Sequence, residues 1–200
     1  SEARRHLSIP AFVTEPKQRL PYAALLPWIE AMDELTPYLR NADAELRSAA
    51  WTPLISAVKY HRDRLPDVLA MLIARRNEQD PVRSAFLNAL ADLPPGMWRA
   101  EHLTELGQIF RDALNASDLS YGSAHAVEML VIQLLRRHPE WSASWLATLV
   151  KKRGQIHQYR LESLLSPDDV QRIAHAVMPI LQSWAVRERE HQLYGFASAL

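Results

Sequence analysis

Residues 77–90 read Asn77-Glu-Gln-Asp-Pro-Val-Arg83-Ser-Ala-Phe-Leu-Asn-Ala-Leu90, and residues 41–54 read Asn41-Ala-Asp-Ala-Glu-Leu-Arg47-Ser-Ala-Ala-Trp-Thr-Pro-Leu54. At an offset of 36 residues the Asn, Arg, Ser, Ala and final Leu coincide, and Leu46 answers Val82. A period of this size points to helix pairs stacked one on the next, because a single pair cannot bury its own apolar face.

Each copy opens on a polar turn, Asn41-Ala-Asp43 or Asn77-Glu-Gln-Asp80, whose side chains can accept from the free amides of a helix start. Asp80 before Pro81 strengthens the second start, since proline in the first turn gives up no needed hydrogen bond. Val82, Ala85, Phe86, Ala89, Leu90 and Leu93 then recur at spacings of three and four, which is one apolar face of a helix.

This arrangement of apolar helix, polar turn, then an apolar residue followed by Arg and small residues resembles the HEAT repeat. In that family an Asp in the turn precedes the Arg by six positions. Asn41 stands six before Arg47 and Asn77 six before Arg83, so Asn replaces Asp in both copies. Leu25-Leu26-Pro27 matches the family's proline in the first helix. The resemblance covers residues 21–93 and becomes degenerate from residue 97, where the Arg is lost. It implies an all-α fold, a right-handed α-α superhelix of about five helix pairs. It also implies a non-enzymatic scaffold or sensor segment that binds a partner protein.

Composition agrees with one sizeable packed domain. Hydrophobic residues make up 48% of the 200, enough to argue against disorder. Lys plus Arg and Asp plus Glu number 23 each, so the chain lacks the bulk positive charge of a general nucleic-acid binder. There is no cysteine, which excludes disulfides and thiolate metal sites. No apolar run reaches the roughly 18 residues of a membrane span. No signal peptide is visible. A cytoplasmic protein with no membrane association, no cofactor and no small-molecule substrate is expected.

Outward from the repeat, residues 1–20 read as an N-terminal arm or cap carrying Ile9, Phe12 and Val13, and residues 21–200 as the solenoid. Ala24, Leu25, Trp28, Ile29, Met32 and Leu35 form the stripe of a first helix over 21–40, which Pro27 should kink where the helix runs through it. Thr36-Pro37 is a second candidate break. The partner helix spans about Asp43 to His61 and should bend before Pro53. Leu65, Val68, Leu69, Leu72 and Ile73 place the next helix, and Pro94-Pro95-Gly96 is the strongest stop in the chain. Leu103, Leu106, Phe110, Ala113 and Leu114 mark a third pair, whose second helix carries Ser123-Ala124 in answer to Ser84-Ala85, with Gly122 replacing the Arg. The segment from Ala126 to Leu135 is apolar nearly all round and is expected to be covered on most sides. Trp141, Trp145, Leu146 and Leu149 mark a fourth pair, with a short helix over 155–165. Ser166-Pro-Asp-Asp169 opens a fifth, bent by Pro179. The apolar end, Leu193 to Leu200, suggests a piece of a longer protein, because solenoid ends need polar caps.

The known catalytic and cofactor signatures are missing: no His-Glu-x-x-His, no Gly-x-Ser-x-Gly, no phosphate-cradling glycine loop. Glu188-x-x-His191 lacks the second copy that a di-iron bundle requires. His125 and Glu128 can bond across one helix turn. The chemistry that remains is electrostatic. Arg75-Arg76 and Lys151-Lys152-Arg153 close predicted helices, where cations compensate the macrodipole. In a regular stack both clusters would flank the turns at which second helices begin, a basic edge suited to an acidic partner segment or phosphate. Arg75, Arg76, Lys151, Lys152 and Arg153 are therefore the candidate partner-binding residues. Nucleic-acid binding along that edge is the alternative. Of the six tryptophans, Trp98, just past the Pro-Pro-Gly break, is the one expected to be exposed.

Overall fold

The computed structural model describes residues 15–153 and 166–186, and among them every regular element is helical. The helices are α1 (Pro16–Arg19), α2 (Trp28–Leu39), α3 (Ala44–Ala57), α4 (Leu65–Ile73), α5 (Asp80–Ala91), α6 (Leu103–Asn115), α7 (Tyr121–Leu134), α8 (Pro139–Arg153) and α9 (Pro167–Val186). The apolar arm residues Ile9, Phe12 and Val13, the helix expected over 155–165, the Glu188–His191 pair and the apolar end all lie outside the described residues. No described helix is long and apolar enough to cross a membrane.

The starts follow the capping chemistry. Asp43 Oδ1 accepts from Glu45 N at 2.8 Å, and Asn41 Oδ1 accepts from Asp43 N at 2.9 Å, so the turn before α3 is closed by its own side chains. At α9, Ser166 Oγ accepts from Asp169 N at 3.2 Å while Asp169 Oδ2 accepts from Ser166 N at 2.9 Å. Two orphan amides are thus satisfied reciprocally, with Asp in the place usually held by Glu.

The chain forms two compact units, Ser1–Ala126 and Val127–Leu200. In the first, α2 and α3 pack as a hairpin, α3 lies against α5, and α4 lies against α6. The second helices of the first two pairs thus meet, as do the first helices of the second and third. Leu54 and Ile55 of α3 and Val82 and Leu90 of α5 have no exposed surface, and Trp51 meets Phe86 edge to face at 6.4 Å across the seam of the two helices. Each such side chain contributes about 1.5–3 kcal/mol by leaving water. In the second unit α8 packs on α9. Val127, Glu128, Leu130, Val131 and Leu134 of α7 are buried, as the all-round apolar sequence predicts.

Three expectations fail. The stripe over 21–40 does not run through Pro27. Leu20–Leu25 forms a 3₁₀ turn instead, and α2 starts after Pro27. Its buried positions are Ala31, Leu35 and Leu39, while Leu25 is 55% and Ile29 74% exposed. A 3₁₀ turn advances fewer residues per turn than an α-helix, so the phase read across the proline was wrong. Pro37 breaks nothing: it sits inside α2, and Asp33, whose carbonyl it leaves free, is exposed to water. Trp98 is buried, at 2% exposure. The stop after Pro94 leads into a 3₁₀ turn, Pro95–Met97, that folds Met97 and Trp98 inward, with the His102 ring edge-on at 6.4 Å.

Candidate functional site

Three polar turns, 40–43, 74–79 and 116–120, each lead from a first helix into its second helix, and all belong to the first unit. Two arginines tie them in series. Arg47, in the first turn of α3, donates through Nη1 to the carbonyls of Asn41 and Ala42 at 2.8 and 2.9 Å. Its Nε and Nη2 both donate to Glu78 Oε1 in the next turn, at 3.2 and 2.8 Å. Arg83 repeats the arrangement one pair later. Its Nη1 donates to the Glu78 carbonyl at 2.9 Å, and its Nη2 donates to Asp80 at 2.8 Å and to Asp118, in the third turn, at 2.7 Å. Each arginine therefore holds backbone carbonyls of its own turn and an acid of the next.

The series ends at the third turn. A Cβ on Gly122 would stand 3.3 Å from Ser84 Oγ, so a longer side chain cannot begin there without displacing that contact. In place of an arginine, Ser120 N and Ser123 Oγ donate to Asp80 Oδ1 at 3.1 and 2.8 Å.

This geometry sets the acid response. Burial pushes the Asp80 carboxyl up, but the donors Ser120, Ser123 and Arg83 outweigh it and hold Asp80 below its ordinary 3.8. The Arg83 hydrogen bond does the same for Asp118. A carboxyl depressed in the folded state contributes stability that is present above its ordinary value and is lost as pH falls through the folded one. Stability is therefore expected to fall as pH drops below about 4, with the loss continuing to lower pH. Asp80→Asn should flatten that acid limb in urea melts across a pH series, and an unchanged limb would show that Asp80 does not carry it.

Two clefts flank the turn 74–79. One, of about 330 Å³, is lined by Arg40, Arg47 and Arg75 together with Asn41, Asn77 and Glu78. The other, of about 530 Å³, has Arg76 and Arg83 opposite Asp112, Asp118 and Glu78. Among the described residues, Arg40, Arg75 and Arg76 have no ion pair or side-chain hydrogen bond, whereas Arg47 and Arg83 are paired with acids of the turns, Arg83 through its two Nη atoms alone.

The expected basic residues thus separate. Arg75 and Arg76 lie in the turn directly after α4, on the two clefts. Lys151, Lys152 and Arg153 form the last turn of α8 in the second unit. Lys151 and Lys152 are exposed, and Arg153 is drawn inward to the fully buried Glu128, 3.6 Å away. His125 stacks on Tyr121 with ring centroids 5.7 Å apart. Several amides at the helix starts along the turn edge are already taken by side chains. The amides of Glu45, Gln79, Asp80, Ser120 and Ser123 already donate to Asp43, Glu78, Asp118, Asp80 and Ser120 respectively. Among the described residues no group of three His, Asp or Glu side chains is placed to hold a metal.

Comparison with models of known protein families, with curated proteins and with solved structures gives no match. Sequence reasoning missed Arg40 and the acids Glu78 and Asp118. Glu78 and Asp118 were legible only as members of polar turns. What singles them out is a partner one helix pair away, 31 residues from Arg47 to Glu78 and 35 from Arg83 to Asp118.

Proposed function

We propose that this chain is a non-enzymatic interaction scaffold, a HEAT-like stack of helix pairs in a right-handed α-α superhelix that holds a partner protein on its surface. The observation that carries the reading is the repeated arginine contact. Arg47 and Arg83 do the same work in consecutive pairs, each fastening its own turn to an acid of the next. A stack held in register this way presents one continuous row of turns, and rows of this kind are the usual binding surfaces of repeat proteins. Along that row the structural cations are neutralised internally while Arg40, Arg75 and Arg76 remain for a partner.

The test is affinity capture from native lysate at low and high salt, with nuclease treatment in parallel. A protein retained at both salts and after nuclease is the expected result. Recovery of nucleic acid that disappears at high salt would overturn the reading in favour of polyanion binding along the basic edge.

A further inference from the structure

The cleft between the first two turns has more donors than its own residues can use. Arg40 is exposed and Arg75 half-buried, and neither is paired among the described residues. Arg47 lies beneath them, 8% exposed, with its charge shared with Glu78. Asn41 turns its oxygen to the Asp43 amide, which leaves its NH₂ as a donor, and Asn77 makes no side-chain hydrogen bond among the described residues. Three guanidinium groups and two carboxamides therefore face about 330 Å³ of polar space that holds a single carboxylate, Glu78. The excess is positive charge and N–H donors, so the missing component is an anion rich in acceptors. The Glu45 amide at the α3 start is taken by Asp43, so the side-chain forks are the charged donors that the cleft offers a ligand. Arginine forks match the two oxygens of a carboxylate.

We propose that this cleft is the docking site for an acidic segment of the partner protein, with Asp or Glu carboxylates seated between Arg40 and Arg75. The inference rests on the scaffold reading above and specifies the chemistry of its partner. The neighbouring cleft decides between an acidic peptide and a polyphosphate strand. Past the Asn77–Glu78 turn Asp112 and Asp118 join the lining, Arg83 is already neutralised by Asp80 and Asp118, and among the described residues Arg76 is the one unpaired cation there against three acids, counting Glu78. A nucleic-acid strand carries a charge at every step and would meet repulsion there. A peptide can place an acidic residue in the first cleft and a neutral or basic one in the second.

The test measures binding of a short fluorescent Asp/Glu peptide and of a single-stranded DNA oligonucleotide of equal charge to the full chain. It compares the parent protein with Arg40→Glu/Arg75→Glu and with Arg62→Glu, which makes the same kind of charge change in the 3₁₀ turn between α3 and α4. Losing two forked ion pairs should weaken the peptide by about tenfold or more, while Arg62→Glu leaves it within about twofold. Thermal unfolding checks each variant, and Arg40→Gln/Arg75→Gln replaces the reversal if that one is destabilised. Equal peptide affinity in the parent and the cleft variant would overturn the proposal. So would tighter binding of the oligonucleotide, or displacement of the peptide by inorganic phosphate at concentrations where chloride has no effect. The same variants in the lysate capture separate the two readings. A partner retained by both parent and cleft variant refutes the cleft and leaves the scaffold standing, whereas a parent that captures no protein refutes the scaffold.

Discussion

Arg83→Met lowers the free energy of unfolding by about 3 kcal/mol, because it removes a buried cation from acids that stay behind. Methionine keeps much of the stem's packing, so the measured loss reports the guanidinium. That group is 3% exposed and makes bonds to the Glu78 carbonyl, Asp80 and Asp118. Asp80 is the partner that matters most, since its side chain is 14% exposed while that of Asp118 is 52% exposed and can turn to water. Arg83→Lys should lose about half as much, because one ammonium on a flexible stem cannot hold a carbonyl and two carboxylates at once. Arg83→Met combined with Asp80→Asn should cost less than the sum of the two single changes, since the second removes the stranded charge. Urea unfolding at neutral pH reads all four proteins. A loss below about 1 kcal/mol for Arg83→Met would mean that water replaces the arginine and that the turns are held by apolar packing alone.

Trp51→Ala is expected to cost about 3–5 kcal/mol, the range for emptying the site of a large aromatic in a packed core. Trp51 is 1% exposed and lies at the seam of α3 and α5, edge to face with Phe86. The small Ala50 beside it occupies the repeat position of Phe86, so the large side chains of the two pairs interlock rather than collide. Removing the indole leaves α3 and α5 separated by a void, since their backbones are also fixed by Arg47 and Arg83. Trp51→Phe should cost far less. It keeps the edge contact and discards a buried indole N–H that has no acceptor among the described residues. Calorimetric or denaturant unfolding distinguishes these outcomes. A Trp51→Ala loss under about 2 kcal/mol would show that the two helices close over the gap.

Much of the helix order was legible because its causes are local. The period of 36 residues, the polar starts at Asp43 and Ser166, and the buried series Leu65, Val68, Leu69 and Leu72 each depend on neighbours within one or two turns. Where local reading failed, the cause was a change of helix type or a fold-back. Leu25 and Ile29 fell out of phase across the 3₁₀ turn before Pro27, and Trp98 was carried inward by the turn after Pro94.

The candidate site was legible only in part. Arg75 and Arg76 were visible as cations ending a helix, and Arg47 and Arg83 as repeated positions. Which of these arginines would be neutralised was not visible, because that depends on acids in other turns. The sequence by itself determined most of the helices and the arginine after each of the first two polar turns, since spacing and capping act along one stretch of chain. Tertiary structure alone decided that Glu78 answers Arg47, that Asp80 and Asp118 answer Arg83, that Gly122 lies close against Ser84, and that Arg40 and Arg75 share an unneutralised cleft. The physical reason is that charge pairing and steric fit are set by the distance between atoms in space, and these residues become neighbours only when one helix pair is laid against the next.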